Sequence, residues 1–347
     1  MKLTKVRIVL AMLLIVPIAG AAAVYFGGDR IVEAVINDRL EDDTDYAYVK
    51  DTEHIRVLLC GTGSPEISAA RAQACTLVAA GGKMFLFDAG EGTTKSLAES
   101  DVPIGALDRI FLTHFHSDHF NGLASLVNAI WIWGRTEPLD VWGPVGLDKV
   151  VGGLNAAYAL DHGYRKDNMP HLNATGPAAD AVPHEIDFPA GARSVRVYDE
   201  GGVTIDARLV AHEPVAPALG YVITYRGKKV FVSGDTEVSP VNLPAMQNAD
   251  LVVHEAYATH LIRRAIPIMR KLGRTHDAQV AERTIPYHAD TIALAKQAQQ
   301  AGVKHLVLTH LTPYADGFIA RRLFTEGMAD HYKGELTVGS DGLLIVL

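Results

Sequence analysis

The stretch FLTHFHSDHF, residues 111–120, places three histidines and one aspartate within six positions. The apolar run RIFL before it predicts a buried strand that ends at His114, so the polar side chains lie on the loop at its carboxyl end. In open α/β sheets, ligands bind at that edge. Imidazole nitrogens and carboxylate oxygens at this density suit zinc and related divalent ions. The stretch therefore predicts a metal site that contains His114, His116, Asp118 and His119.

Three further candidate metal donors occupy equivalent places later in the chain. Each comes just after an apolar, strand-like run: His212 in ARLVAHEP, Asp235 in VFVSGDTE and His310 in HLVLTH. One loop cannot complete two metal sites, so these residues would supply the remaining imidazoles and a shared carboxylate. A negative bridge allows two cations to lie about 3.5–4 Å apart. We therefore predict two divalent metal ions as cofactors, zinc in the first place, with manganese and iron as alternatives.

Short strand-like runs alternate with glycine-containing turns and helical stretches from His54 to the end of the chain. Residues 81–82 and 226–227 predict the turns of two hairpins. This mixture of strands and helices predicts an α/β fold in which helices cover the sheets. Residues 161–193, rich in proline, alanine, aspartate and histidine, predict a long loop over the mouth of the site.

The N-terminal residues 1–28 predict a signal peptide or a membrane anchor. Three basic side chains precede an uncharged run at residues 8–28, which contains small residues that suit a cleavage site. If it is not removed, a helix of that length could cross a membrane. Residues 29–53 are predicted to form a linker with a short helix, and residues 54–347 the main domain. We expect the protein to be exported, either periplasmic or secreted, or anchored by residues 8–28.

The two cysteines, Cys60 and Cys75, allow two interpretations. Outside the cytosol they could pair as a disulfide. They lie, however, in two separate apolar strand-like runs, RVLLC and CTLVAA. We therefore favour two separate buried thiols.

Charge disfavours nucleic acid as a partner. The 347 residues include 40 acidic and 32 basic side chains, a formal net charge of −8. Proteins that bind nucleic acid usually carry the opposite sign, because neutralisation of phosphates dominates their affinity. A local basic patch is still compatible with this net charge.

With these donors in place, the chain resembles the metallo-β-lactamase superfamily, which the H-x-H-x-D-H motif marks. The resemblance covers residues 54–347. It implies an αββα sandwich, in which two mixed β-sheets are covered by helices and a two-metal site lies at the sheet edges. It also implies which residues hold each ion. One ion takes His114, His116 and His212, the other takes Asp118, His119 and His310, and Asp235 bridges them.

The motifs LLCGTGSP, FDAGEG, HEA and YHADT look like those of the ribonuclease Z and arylsulfatase branch of that superfamily. The branch carries a histidine in the place of His288, which we predict to donate a proton to the leaving group. A helix cap is the alternative role for this residue. Glu255 is predicted to orient His288. Asp118 is predicted both to bind metal and to orient the attacking water.

We expect the substrate to be a small anionic ester of the aryl sulfate or phosphodiester class, cleaved by water that the metal pair activates. Ribonuclease Z usually carries a long RNA-binding arm between the positions of His212 and Asp235, but only 22 residues separate them here. EISAARAQACTLV also lacks the lysine and arginine pattern of the RNA site in that family, and an exported enzyme does not meet precursor tRNA. These observations disfavour RNA.

Alternative functions remain open at this point. They are a ribonuclease Z-like endonuclease that processes the 3′ end of tRNA, a lactone or β-lactam hydrolase, and a metal-binding module without catalysis. Membrane association through the N-terminal segment and a homodimer are further expectations.

A basic segment at residues 261–274 has no assigned role. Its charged residues are Arg263, Arg264, Arg270, Lys271 and Arg274. It could be a solvated helix broken near Pro267, a lipid-binding helix, or a lid whose arginines contact an anionic substrate.

Overall fold

The computed structural model describes residues 29–30, 32–37, 44–169, 171–174 and 176–347. The predicted signal or anchor at residues 1–28 lies outside these residues and stays a prediction. Within the described part of the chain, no helix is both long and apolar enough to cross a membrane. Asp45–Leu347 forms one compact unit.

The first sheet combines antiparallel and parallel strands. Its strands are β1 (Arg56–Gly61), β2 (Cys75–Ala80), β3 (Lys83–Phe87), β4 (Arg109–Phe111), β5 (Leu139–Pro144), β6 (Ala181–Ile186) and β14 (Leu343–Val346). They lie in the order β14-β1-β2-β3-β4-β5-β6. Strands β14 to β3 pair antiparallel, and β3 to β6 pair parallel.

The second sheet repeats this plan. Its strands are β7 (Ser194–Glu200), β8 (Val203–His212), β9 (Val215–Tyr225), β10 (Lys228–Val232), β11 (Leu251–Tyr257), β12 (His305–Thr312) and β13 (Glu335–Val338). They lie in the order β13-β12-β11-β10-β9-β8-β7. Strands β7 to β10 pair antiparallel, and β10 to β13 pair parallel. The predicted hairpin turns at residues 81–82 and 226–227 are confirmed.

Helices cover the outer faces of both sheets. They are α1 (Ala47–Lys50), α2 (Thr93–Glu99), α3 (Leu123–Ile132), α4 (Leu147–Asn168), α5 (His171–Ala174), α6 (Leu243–Met246), α7 (Thr259–Lys271), α8 (Thr275–Thr284), α9 (Thr291–Ala301), α10 (Gly317–Phe324) and α11 (Met328–His331). One apolar core lies between the first sheet and α2 to α4, and another between the second sheet and α6, α9, α10 and α11. The predicted αββα sandwich is confirmed.

The core between the two sheets supports the metal-site loop. Strand alternation turns Phe85 and Phe87 towards the second sheet, while Leu86 between them faces the helices. The rings of Phe87 and Phe111 stack with centroids 5.4 Å apart, and the ring of Tyr221 lies 5.3 Å from each. The Tyr221 hydroxyl donates to the carbonyl of Leu112, 2.6 Å away, just before the loop begins. Replacing one of these phenylalanines by alanine should cost about 3–5 kcal/mol of stability.

The cysteine interpretation was wrong, because Cys60 and Cys75 form a disulfide with Cα atoms 5.0 Å apart. Strands β1 and β2 are antiparallel neighbours, and a shift in their register places Cys75 opposite Gly61, next to Cys60. The apolar runs predict both strands but not this register, so they could not reveal the pair.

Two local predictions were also wrong. Residues 161–193 are not one loop, since α4 continues to Asn168 and β6 occupies Ala181–Ile186 as a parallel neighbour of β5. Helix α7 is not broken, since Pro267 lies inside it. An internal proline costs about 3 kcal/mol. Ile262 and Ile266 of α7 pack into a small core shared with α8, which offsets that cost.

Candidate metal centre

All seven predicted metal donors meet at one edge of the sandwich. Four lie on the loop that follows β4, while His212 ends β8, Asp235 follows β10 and His310 lies in β12. Within each of two groups, the candidate ligand atoms lie within 4.8 Å of one another. The groups are His114, His116 and His212 with Asp235, and Asp118, His119 and His310. We call His114, His116 and His212 the first donor group. We call Asp118, His119 and His310 the second donor group.

Two glycines allow the loops of the centre to approach each other. A Cβ atom at Gly90, in the FDAGEG motif, would lie 2.2 Å from the carbonyl oxygen of Asp118. At Gly234, which has a φ of +59°, a Cβ would lie 2.8 Å from that of Thr113. Gly90 therefore lets two loops of the first sheet approach each other, and Gly234 lets the loop of the second sheet bring Asp235 against the loop of the first.

The first donor group consists of imidazoles that face each other. His116 Nδ1 lies 3.0 Å from His114 Nε2 and 3.4 Å from His212 Nε2. The Nδ1 of His212 lies 3.1 Å from the carbonyl oxygen of Tyr287, to which it donates, so Nε2 points into the centre. Burial and the neighbouring imidazoles lower the pKa of all three histidines. They are therefore neutral at pH 7, the form that binds metal.

The second donor group is surrounded by carboxylates. His310 Nε2 lies 3.0 Å from Asp118 Oδ2, and His119 Nε2 lies 3.6 Å from the same oxygen. Burial by itself would lower the pKa of His119, but the charges of Asp235, Asp88 and Asp118 raise it well above its usual range. The pKa of His310 is raised in the same way, by Asp235 and Asp118 against the effect of burial.

Asp235 lies between the two groups. Its Oδ2 is 3.4 Å from Nε2 of both His119 and His310, 3.8 Å from Nε2 of His212 and 3.9 Å from Nε2 of His114. Its Oδ1 and the Nε2 of His119 are buried and have no hydrogen-bond partner among the described residues. Such atoms are rare in folded proteins, because burial without a partner is costly. The donor set thus fits two divalent ions with Asp235 as the shared ligand.

The predicted proton donor, His288, lies beside this cluster. Its Nδ1 is 2.9 Å and 3.1 Å from the two carboxylate oxygens of Glu255, which also accepts the backbone N–H of Thr236 at 2.8 Å. Burial disfavours the charged imidazole, but Glu255 and Asp235 outweigh it and raise the pKa of His288 to about 9. Asp290, and not His288, caps α9, because its side chain accepts the backbone N–H groups of Ile292 and Ala293.

The sequence-based interpretation missed one further residue, Asp88. Its carboxylate accepts the backbone N–H and the hydroxyl of Thr113, at 2.8 and 2.9 Å, and lies 2.8 Å from Nδ1 of His119. It therefore fixes the His119 ring so that Nε2 faces Asp235. Asp88 has a φ of 60°, which is uncommon for a residue other than glycine. The available signal was its place directly after the apolar strand MFLF, since Asp235 likewise follows an apolar strand, three residues after the end of β10.

Comparison with known sequences shows the family. The family described as the metallo-beta-lactamase superfamily matches residues 69–263. Ribonuclease Z from Mycobacterium sp. strain KMS is 35% identical over 267 residues, which cover 76% of this chain and 86% of the relative. Ribonuclease Z from Mycobacterium bovis strain BCG Pasteur 1173P2 is 32% identical over 290 residues, or 83% of this chain and 96% of the relative.

Comparison with solved structures shows the same fold. The metallo-β-lactamase fold protein YhfI from Bacillus subtilis has a TM-score of 0.59 at 18% identity, covering 85% of this chain and 100% of YhfI. The short form of human tRNase Z has a TM-score of 0.58 at 24% identity, covering 84% of this chain and 98% of the neighbour.

These comparisons correct two predictions. The sequence relatives are named Ribonuclease Z, so a small anionic ester such as an aryl sulfate was the wrong substrate class, and nucleic acid was wrongly disfavoured as a partner. Net charge is a sum over the whole chain and does not describe the surface near the site. The short connection between His212 and Asp235 rules out a long RNA-binding arm between these two residues, but not an RNA-binding surface elsewhere.

Two mixed sheets, the H-x-H-x-D-H loop and the donors from the second sheet agree with these matches. This chain belongs to the metallo-β-lactamase superfamily of metal-dependent hydrolases and, within it, to the ribonuclease Z family.

Proposed function

We propose that the protein is a two-metal RNA endonuclease of the ribonuclease Z type, with the 3′ end of precursor tRNA as its first candidate substrate. One observation carries this proposal. The seven donors and the His288–Glu255 pair form a single site in a chain that is 35% identical, over 267 residues, to a protein named Ribonuclease Z.

The donor set suits zinc, because imidazole and carboxylate ligands dominate it, with manganese and iron as alternatives. Two divalent ions at this centre would lower the pKa of a bound water and neutralise charge on the attacked phosphate. Asp235 would hold both ions, and Asp118 would both bind one ion and accept a hydrogen bond from the attacking water. Asp88 keeps His119 in the orientation that this arrangement needs.

His288 completes the reaction on the side of the leaving group. The charge of Glu255 keeps the imidazole protonated at neutral pH, so that a proton is available when the bond to the leaving ribose oxygen breaks. Glu255 is itself held in place by the backbone N–H of Thr236. Since Nδ1 of His288 is bonded to Glu255, Nε2 is the atom that would donate the proton.

Cleavage of a defined RNA tests this proposal. The full chain is incubated with a precursor tRNA that carries a 3′ extension, with zinc or manganese, and the products are mapped. We expect one internal cut near the end of the acceptor stem, its loss in chelator, and its recovery when metal is returned. If the protein cleaves no RNA under any of these conditions while it hydrolyses a small phosphodiester, the proposal is wrong.

His288→Ala separates proton donation from metal binding. General acid catalysis contributes roughly 100- to 10,000-fold to a rate, so kcat on RNA should fall within that range while metal content stays at the wild-type level. A 4-nitrophenyl phosphodiester should lose much less, because its leaving group needs no proton. His184→Ala, at a histidine that pairs with Asp140 away from the centre, is the control. Unchanged turnover of RNA in His288→Ala would remove His288 from the mechanism.

Export also remains a proposal. The basic start and uncharged run of residues 1–28 support it, as does the Cys60–Cys75 disulfide, because disulfides persist outside the reducing cytosol. Cell fractionation with antibody against the full chain tests it, and a full-length product confined to the cytosol would contradict it. Since export would restrict the enzyme to RNA outside the cytosol, the cleavage assay should include an unstructured RNA beside the tRNA precursor.

A further inference from the structure

Helices α7 and α8 form a hairpin, residues 259–284, which we call the basic hairpin. It lies between β11, which carries Glu255, and the short turn Ile285–Tyr287 that precedes His288. The two helices pack on each other through a small core that includes Ile262, Ile266, Ala278 and Ala281, together with Tyr257 of β11. Both ends of the hairpin are therefore fixed next to the pair that would donate the proton.

The basic hairpin has a charge opposite to that of the chain as a whole. It contains six Lys and Arg and two Asp and Glu, whereas the whole chain has 32 Lys and Arg and 40 Asp and Glu. Both acidic residues already have a partner within the hairpin, since Asp277 lies 2.5 Å from Arg274 and Glu282 lies 2.6 Å from Arg270. The excess positive charge is thus not neutralised from inside the hairpin.

Four of its basic side chains are exposed and have no acidic partner in the described part of the chain. They are Arg263, Arg264 and Lys271 of α7 and Arg283 of α8. Ile262 and Ile266 occupy the opposite, buried face of α7. Arg264 and Lys271 are seven residues apart, close to two helical turns, so they lie on one face about 10 Å apart along the axis. Such a row of cations suits an extended polyanion, because guanidinium groups bind phosphate oxygens in pairs.

The charge of Arg274, next to the turn of the hairpin, acts on the loop that follows β1. Burial raises the pKa of Glu66 in that loop, and the positive charge of Arg274, next to the turn, opposes the rise. The same loop contacts the strand of His310, since the backbone N–H of Leu311 donates to the carbonyl of Thr62 at 3.1 Å.

We propose that the basic hairpin binds the phosphates of the RNA strand next to the cleaved bond. This inference rests on the proposed function. It places the RNA-binding surface on the basic hairpin and not on the connection between His212 and Asp235. Ile268 and Leu272 are also exposed, at 59% and 70%, so an anionic membrane is the competing occupant. RNA is favoured because both ends of the hairpin connect directly to Glu255 and His288.

The test neutralises the three unpaired cations of α7 in the full chain loaded with metal. The variant Arg263→Gln/Arg264→Gln/Lys271→Gln is compared with Lys149→Gln/Lys296→Gln/Lys333→Gln, which neutralises three exposed lysines elsewhere. For cleavage of single-stranded RNA, we expect kcat/KM of the hairpin variant to fall by about tenfold or more near 0.1 M salt. The slope of log kcat/KM against log salt should shrink by about 2, since each phosphate contact of a single strand contributes about 0.7. Hydrolysis of bis(4-nitrophenyl) phosphate should not change.

The other outcomes distinguish a failure of this inference from a failure of the proposed function. An unchanged rate and salt slope on RNA in a hairpin variant with wild-type thermal stability overturns this inference and leaves the proposed function standing. So does a loss of binding to phosphatidylglycerol vesicles with RNA cleavage intact, which would assign the hairpin to a membrane. If the wild type neither cleaves nor binds RNA but hydrolyses the small diester, both proposals fail. Arg264→Gln alone, at an exposed position, repeats the comparison if the triple variant does not fold.

Discussion

The two donor groups of the metal centre differ in the electrostatic environment that their neighbours create. In the first donor group, buried imidazoles face one another, and their pKa values are lowered. In the second donor group, carboxylates surround His119 and His310 and raise their pKa values. The imidazoles of the first donor group are therefore neutral and can bind metal directly. In the second donor group, a metal ion has to displace protons from the imidazoles. The comparison shows how one edge of the sandwich can offer two unequal metal positions.

The strongest test removes the residue that both groups share. Asp235→Ala should lower the occupancy of both positions and reduce RNA cleavage by more than about 100-fold, since losing even a residue that only orients a ligand costs about 10- to 100-fold. Metal content by elemental analysis and kcat on RNA are the measurements. Asp118→Ala is the matched control and should affect mainly the second donor group. Two tightly bound ions in Asp235→Ala would show that this carboxylate does not bridge.

A smaller effect is expected from Asp88→Asn, which keeps the size of the side chain but removes the charge next to His119. Metal affinity of the second donor group should fall by about 10- to 100-fold, because residues that orient a metal ligand contribute that much. Affinity of the first donor group should stay the same. Zinc titration against a competing chelator resolves the two steps. Asp140→Asn, which disturbs an aspartate–histidine pair outside the centre, is the control. An equal loss of zinc affinity at both donor groups would contradict the assigned role of Asp88.

The smallest expected effect is on the pH dependence of metal binding. The raised pKa values of His119 and His310 mean that protons leave as metal enters the second donor group, so its affinity should rise with pH, by about tenfold per pH unit for one displaced proton. The first donor group has lowered pKa values, so its affinity should change little above pH 7. Calorimetry in buffers of different ionisation enthalpy counts the released protons. Equal proton release in both steps would remove the distinction between the groups.

Much of the centre could be predicted because its ligands occupy repeated positions. His114, His212 and His310 each lie at the end of an apolar run. Parallel strands bring such ends to one edge of a sheet, and β8, although its neighbours are antiparallel, runs in the same direction as β10. Asp88 shows the limit of this reasoning. It has the same position after a strand, but only the hydrogen bonds to Thr113 and His119 distinguish it from an ordinary turn aspartate.

The wrong predictions share a different cause. The cysteine pair depends on a register shift between β1 and β2, and the unbroken α7 depends on packing against α8. The expected loop at residues 161–193 is a helix end and an edge strand, whose stability comes from neighbours distant in sequence. Composition and periodicity describe a segment by itself, so they cannot include these contacts.

The amino-acid sequence by itself determined a mixed α/β fold and the seven metal donors as candidates, since residue type and strand-end position are local properties. The αββα sandwich and His288 as the candidate proton donor were implied by the resemblance to the family. Tertiary structure alone decided that Asp235 lies between two groups of unequal charge, that Asp88 orients His119, and that the basic residues form a helical hairpin packed on Tyr257. It also placed Glu255 within hydrogen-bonding distance of His288, as the sequence had predicted. These features depend on distances between atoms of different strands, and such distances are set only when the two sheets pack together.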